Sequence, residues 1–345
     1  MPRKVRNAVC PIFLLIVTSI LISFAPGQTA GKGDTRKSSE QKYAKYIFYD
    51  IKPVPPEMAA KMKEIKQRSQ STVESTRIVD LDNSRAAGAP YMDFVWLWRG
   101  SAKGYTEQEH THTFDEVIGF IGSGGEKDPR SLGGEMEVWL GGEKYLITKT
   151  CLIFVPAGVK HCPIRFNRVD SPILFFTFSM ATTYQRTPTK FTEEKAAERN
   201  FEKYISYDVN PNKVSPEALK RREENNKKIG STVAGTRLLD LDRVTGSFYT
   251  DFVWLWKGSA KGNSEVEHSH EFDEVIGFIG SKGQNAPHDL GGEMEVWVGG
   301  EKYLITKSCL IFVPKGTKHC PIRFNRVDFP ILFFTVGNTG KYSRS

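Results

Sequence analysis

The strongest constraint on this 345-residue chain is an internal repeat. The segment MDFVWLWRGSAKG at 92–104 returns as TDFVWLWKGSAKG at 250–262, and LGGEMEVWLGGEKYLITKTCLIFVPAGVKHCPIRFNRVD at 132–170 returns nearly letter for letter from Leu290. A chain of this length has room for two domains, and each repeat is long enough to close an apolar core of its own. One fold is therefore built twice, and whatever chemistry a copy carries is present in duplicate.

Six of the seven histidines fall inside the repeat. His110, His112, Glu116 and His161 recur as His268, His270, Glu274 and His319, and the offsets 268 − 110, 274 − 116 and 319 − 161 are all 158. Three imidazoles and a carboxylate suit a divalent transition ion, and the set is too rich in nitrogen for magnesium or calcium. Residues i and i+2 of a strand share a face, so His110 and His112 reach one ion from adjacent rungs. On a straight strand rising about 3.3 Å per residue, Glu116 would lie roughly 20 Å from His110. The chain must therefore bend at Thr113-Phe114-Asp115, and at Glu271-Phe272-Asp273 in the second copy. His161 then arrives from a distant hairpin turned by Pro156-Ala157-Gly158, as His319 does from Pro314-Lys315-Gly316. The segments Pro53–Gln70 and Asn212–Gly230 have drifted apart while the histidine segments have not, a contrast that favours function over an inert remnant.

Both copies show the same order of elements. An extended entry (Tyr46–Tyr49, Tyr204–Tyr207) leads to a helix announced by Pro55-Pro56-Glu57 or Ser215-Pro216-Glu217, since proline fits the first helical turn. Runs rich in Val, Ile, Phe, Tyr and Trp follow at 93–98, 116–121, 135–140, 144–149, 151–155, 161–166 and 173–178, and predict mostly antiparallel β-structure. Gly141-Gly142 and Gly299-Gly300 read as hairpin turns, because only glycine enters positive φ freely. Thr187–Asn200 is polar and helix-prone and joins the halves. The expected division is a leader at 1–30, a first domain at 40–185, a linker at 186–200 and a second domain at 201–342.

The histidine segments resemble the cupin superfamily, whose first motif reads G-x5-H-x-H-x3-E and whose second reads G-x5-P-x-G-x2-H-x3-N. Gly104, His110, His112 and Glu116 fit the first motif, as do Gly262, His268, His270 and Glu274; its closing glycine is displaced to Gly122 and Gly280. Pro156, Gly158 and His161, with Pro314, Gly316 and His319, fit the second, but Thr150 and Ser308 replace its opening glycine and Arg165 and Arg323 its closing asparagine. The resemblance implies an all-β bicupin with short flanking helices: two tandem β-barrel domains of jelly-roll type, with one divalent transition metal in each. Cupins similar to this pattern mostly use manganese or iron, while imidazole-rich sites also accept zinc, nickel or copper. Four protein ligands leave an octahedral ion two open positions for substrate and water or dioxygen.

The resemblance implies a metal-dependent enzyme of oxidoreductase, dioxygenase or decarboxylase type, acting on a small organic acid or related metabolite. A non-catalytic metal- or sugar-binding bicupin is the alternative, and cupins often form homo-oligomers. Arg165 and Arg323 lie four residues after the ligand histidines, so on a regular strand they share the inward face, where guanidinium would pair with a substrate carboxylate. Asp115 and Asp273 are candidate acids or bases beside the metal, or else caps of the bend. Glu271 would give the second site an extra proton-transfer group. Trp96 with Trp98, and Trp254 with Trp256, form same-face pairs suited to core packing.

Arg3, Lys4 and Arg6 ahead of the apolar run Ile12–Phe24 read as a secretory signal, which places the mature chain outside the cytoplasm; an uncleaved anchor is the alternative, and only that would tie it to a membrane. The net charge is +8, three of it from these leader residues. The remaining basic residues are interspersed with acidic ones and form no stripe or tail, which excludes a nucleic-acid partner. Export permits disulfides, yet a hairpin at Ala157-Gly158 would set Cys162 opposite Ile153 and Cys151 a diagonal of roughly 7 Å away, at the edge of disulfide reach. Cys151, Cys162, Cys309 and Cys320 are thus expected as buried thiols.

Overall fold

A computed structural model describes residues 41–191 and 199–345. The leader expectation, Cys10 within it and the middle of the linker lie outside the described residues. The first half contains β1 (Ile47–Phe48), α1 (Pro56–Arg68), β2 (Glu74–Leu81), β3 (Tyr91–Arg99), β4 (His110–Thr111), β5 (Glu116–Gly122), β6 (Ser131–Leu140), β7 (Glu143–Lys149), β8 (Cys151–Val155), β9 (His161–Val169), β10 (Ile173–Ser179) and β11 (Thr187–Pro188). The second contains β12 (Ile205–Ser206), α2 (Pro216–Lys228), β13 (Gly235–Leu239), β14 (Tyr249–Leu255), β15 (Glu274–Gly280), β16 (Asp289–Val298), β17 (Glu301–Lys307), β18 (Cys309–Val313), β19 (His319–Val327) and β20 (Ile331–Gly337). Every strand pair is antiparallel. The edge strands β2 and β13 escape the sequence reading because polar residues such as Glu74, Ser75, Thr76 and Arg77 dilute their apolar pattern.

Each half is a jelly-roll barrel of two facing sheets. In the first, the order β12-β8-β5-β10-β3-β2 faces β11-β4-β9-β6-β7; in the second, β1-β18-β15-β20-β14-β13 faces β17-β16-β19. Val95, Leu97, Ile118 and Phe175 fill the first barrel, with Val253, Leu255, Ile276 and Phe278 doing the same in the second. The outer faces of the two six-stranded sheets pack against each other through Phe94, Trp96, Phe176, Phe252, Trp254 and Phe334. A strand buried on both faces has no polar side to present, and this explains the unbroken run MDFVWLW. At the centre, Phe94, Phe176, Phe252 and Phe334 close a ring of stacked phenyls with centroids 4.9, 5.3, 5.0 and 5.1 Å apart. Trp96 and Trp98 stack at 5.5 Å, Trp254 and Trp256 at 5.7 Å, and Trp96 Nε1 donates across the halves to the Gly280 carbonyl at 3.1 Å.

The extended entries do not join the barrels that follow them. β1 pairs with β18 of the second half (Ile47 with Ile311), and β12 pairs with β8 of the first (Ile205 with Ile153). Each arm also docks on the other half's glycine hairpin. Glu301 accepts from the Lys42 and Tyr43 amides, both at 3.0 Å, and Glu143 accepts from the Asn200 and Phe201 amides at 3.1 and 3.3 Å. Gly141 and Gly142, at φ 61° and 83°, hold the tight turn on which Phe201 lies.

Two sequence expectations about pairing change. β8 and β9 lie in different sheets, so Cys162 does not oppose Ile153 in register; all four cysteines are buried free thiols. Thr187-Pro188 is not helical but pairs with Thr111 and His110 as a short edge strand. No helix among the described residues is long and apolar enough to cross a membrane.

Candidate metal centres

Each cluster forms where three short elements meet at a barrel mouth. β4 is only two residues long, the chain bends through Thr113-Phe114-Asp115, and Glu116 opens β5. His161 opens β9 and pairs in register with His110. The proline–glycine turn is tied to the bend by Gly158 N–H to the His112 carbonyl (2.8 Å) and Ala157 N–H to Asp115 Oδ1 (2.7 Å). In the second half the bridge between His268 and His319, and the bonds from Gly316 and Lys315 amides to the His270 carbonyl and Asp273, repeat this frame. Phe114 stacks on the His112 ring at 4.7 Å and Phe272 on His270 at 4.6 Å, which fixes the orientation of both rings.

The structure brings His110, His112, Glu116 and His161 together as one buried group, with a ligand atom from each within 4.8 Å of every other. The second half is looser: His270, Glu274 and His319 form one such group, and His268, His319 and Cys320 form another that shares His319.

The hydrogen bonds decide which atoms face inward. The Nδ1 atoms of His110, His112 and His161 sit 2.7, 2.6 and 3.1 Å from the carbonyls of Gln108, Gln185 and Val159. A carbonyl only accepts, so Nδ1 carries the proton and Nε2 of the neutral ring offers a lone pair. His268, His270 and His319 make the same bonds to Val266, Ser343 and Thr317 at 2.8, 2.6 and 3.0 Å. These lone pairs face a carboxylate: His161 Nε2 is 3.1 Å and His112 Nε2 3.5 Å from Glu116 Oε2, and His319 Nε2 is 3.1 Å from Glu274 Oε2. Both oxygens of the fully buried Glu116, and Nε2 of His161, His270 and His319, have no hydrogen-bond partner. Acceptors turned on one another in a dry site repel unless a cation lies between them. Burial, and then the closeness of a second imidazole that cannot share a proton with it, hold His110 down to about 2, which favours a neutral ring. The donor set therefore fits a transition ion.

The other sequence-predicted residues are placed outside the clusters. β9 is not regular: Leu140 pairs with His161 and Val138 with Ile164, so three residues of β9 oppose two of β6 across a bulge. This reverses the alternation after Cys162. Ile164 and Phe166 enter the core while Arg165 turns to the outer face, where it pairs with Glu137 and donates to Asn167 Oδ1 at 2.8 Å. Arg323 follows the same course to Glu295 at 2.6 Å and Asn325 at 2.7 Å. Asp115 and Asp273 cap their turns by the amide bonds given above. Glu271 is exposed and pairs with Lys315 at 3.0 Å.

Sequence reasoning missed the segments Tyr184-Gln185-Arg186 and Tyr342-Ser343-Arg344. The Tyr184 hydroxyl lies 3.2 and 3.3 Å from Nε2 of His110 and His112, and Tyr342 lies 3.2 Å from His268 Nε2. Arg186 pairs with Glu107, and Arg344 with Glu265 at 2.7 Å. The signal was present, since 342 − 184 is again 158. Burial raises both phenols, Tyr342 to about 12, so each keeps its proton at neutral pH.

The mouths differ. α1 turns Met62 and Ile65 inward, and the space beside it is a crevice of about 50 Å³. α2 buries no residue and roofs a cavity of about 920 Å³ that reaches His268, Glu274 and His319.

No family model matches the chain, and no curated protein matches it by sequence. Solved structures do. An oxalate decarboxylase from Lactobacillus farciminis, in complex with formate, is 14% identical over 81% of this chain and 86% of its own, with a TM-score of 0.46. Hazelnut (Corylus avellana) vicilin is 11% identical over 87% of both chains at 0.47, and salicylate 1,2-dioxygenase from Pseudaminobacter salicylatoxidans 14% identical over 71% and 70% at 0.39. Paired jelly-roll barrels, each carrying the H-x-H-x3-E and P-x-G-x2-H residues at its mouth, are the architecture that the resemblance to the cupin superfamily implies.

Proposed function

We propose that this chain is a bicupin and an exported metal-dependent enzyme of oxidoreductase, dioxygenase or decarboxylase type, holding one divalent transition ion in each barrel and acting on a small organic acid. The observation that carries the reading is the buried Glu116 carboxylate, with no hydrogen-bond donor and facing unprotonated imidazole nitrogens. Manganese or iron is favoured by the resemblance to other cupins. Bound there, such an ion supplies Lewis acidity and a one-electron couple. The chain's own residues do the rest. His110, His112, Glu116 and His161, or His268, His270, Glu274 and His319, would hold the ion, while the backbone carbonyls behind each ring fix its tautomer. The Tyr342 hydroxyl stands ready to donate a hydrogen bond to an anionic substrate oxygen at the cluster. Export rests on the basic and apolar leader, and N-terminal sequencing of the mature protein would test it.

Elemental analysis of the purified full chain tests the metal reading, together with an oxygen-uptake and decarboxylation screen over organic acids. Manganese or iron near one ion per barrel, with turnover, is the expected result. Zinc without turnover would favour a binding module, and absence of any transition metal would overturn the reading.

A further inference from the structure

The two barrels carry matching ligand sets, but the helices over their mouths diverge where they turn inward. Both helices begin at proline, and their seventh residues are Met62 in α1 and Arg222 in α2; their tenth are Ile65 and Asn225. Met62 and Ile65 are buried with Met58 and Val54 against them, so the inner face of α1 is apolar. In α2, Arg222 stands at the position of Met62 and lines the cavity of about 920 Å³.

A second change makes room for the guanidinium. The strand beneath has Ser75 opposite Leu97 in the first half and Gly235 opposite Leu255 in the second. A Cβ at position 235 would stand 1.9 Å from Arg222 Nη2. Only glycine leaves that space.

Three other cations of the cavity wall are already paired. Arg237 pairs with Asp251, Lys213 with Asp240 and Asp242 at 3.0 Å, and Arg344 with Glu265. No carboxylate or carbonyl takes the guanidinium of Arg222 among the described residues. Burial, and then the charge of Arg237, push it down from its ordinary value, so the cavity wall is electrostatically short of an anion. The rest of the wall is largely apolar, with Val253, Ile276, Phe324 and Phe333. A cavity of this size accepts a ligand well beyond a two-carbon acid.

We infer that the second barrel takes a carboxylate with an apolar or aromatic body, anchored by Arg222 of α2 through paired charge-assisted hydrogen bonds. Its acid group would meet Arg222 while its body fills the apolar wall below the His268 cluster. This deepens the organic-acid reading proposed above and rests on it for turnover, but not for binding.

The test measures binding of phenylacetate and hexanoate, and of their uncharged amides, to the full chain before and after metal removal with a chelator. Both acids are expected to bind in either state, each about tenfold or more tighter than its amide. Arg222→Met should abolish that preference, Arg222→Lys should keep part of it, and Gly235→Ser should weaken acid binding by displacing the guanidinium without removing it. Circular dichroism and metal content report whether each variant is folded. Equal acid binding by a folded Arg222→Met protein, or no preference for acids in the unsubstituted chain, overturns the inference. Either result leaves the metal reading standing if both ions are retained, whereas loss of both ions with Arg222-dependent binding intact overturns only the metal reading.

Discussion

At the scale of single residues, the clusters are governed by where protons sit. Each imidazole gives its Nδ1 proton to a backbone carbonyl and turns a lone pair inward, so removing the facing charge removes the reason for a cation. Glu116→Gln should lower metal occupancy of the first barrel alone, and Glu274→Gln that of the second; equal loss from both barrels by elemental analysis would argue against independent sites. The same protons set a pH dependence in the metal-free chain. His110 falls from an ordinary value of 6.5 to about 2 in the fold. As pH drops below 6.5 the unfolded chain binds that proton and the folded chain does not. Stability is therefore complete above pH 6.5 and falls towards pH 2, by at most about 1.4 kcal/mol per pH unit for this group. Thermal melts of chelator-treated protein between pH 7 and 5 should show the slope, and His110→Asn should flatten it.

At the scale of elements, the short-range parts were the legible ones. An H-x-H pair, a bend forced by the distance to Glu116 and a proline–glycine turn all follow from spacing within a few residues. The direction of Arg165 did not follow, because it depends on a bulge that β9 makes against β6, and β6 is distant in sequence. The outward Arg165 gives a prediction of its own. Arg165→Ala should destabilise by about 1–2 kcal/mol through loss of the Glu137 pair while leaving metal content unchanged; a metal loss on elemental analysis would return this residue to the site. The glycines of β5 and β15 that face the other half, Gly119 and Gly277, are also elements of packing. A Cβ at Gly119 would stand 2.0 Å from the Phe176 ring, so Gly119→Ala should cost about 1–3 kcal/mol or more by denaturant unfolding.

At the scale of the whole molecule, the repeat announced two barrels but not how they are joined. Which edge a two-residue arm such as Ile47-Phe48 selects depends on neighbours more than 250 residues away (Phe48 pairs with Leu310), and no local pattern encodes that. Likewise the run MDFVWLW signals burial on both faces without naming the second partner, which is the other half. Phe94→Ala, opening the central phenyl ring, should cost about 3–5 kcal/mol and lower the melting of both halves together. Residues 41–191 and 199–345 expressed apart should each aggregate, and should assemble when expressed together; a separately produced half that melts cooperatively as a monomer would contradict this. The crossed arms also bear on ancestry. A protein of one repeat with such arms would be a two-fold homodimer, its partners bound to share every substitution. Joining the pair in one polypeptide lifts that constraint while keeping the embrace, so the helix beside one mouth can carry Met62 where its sister carries Arg222.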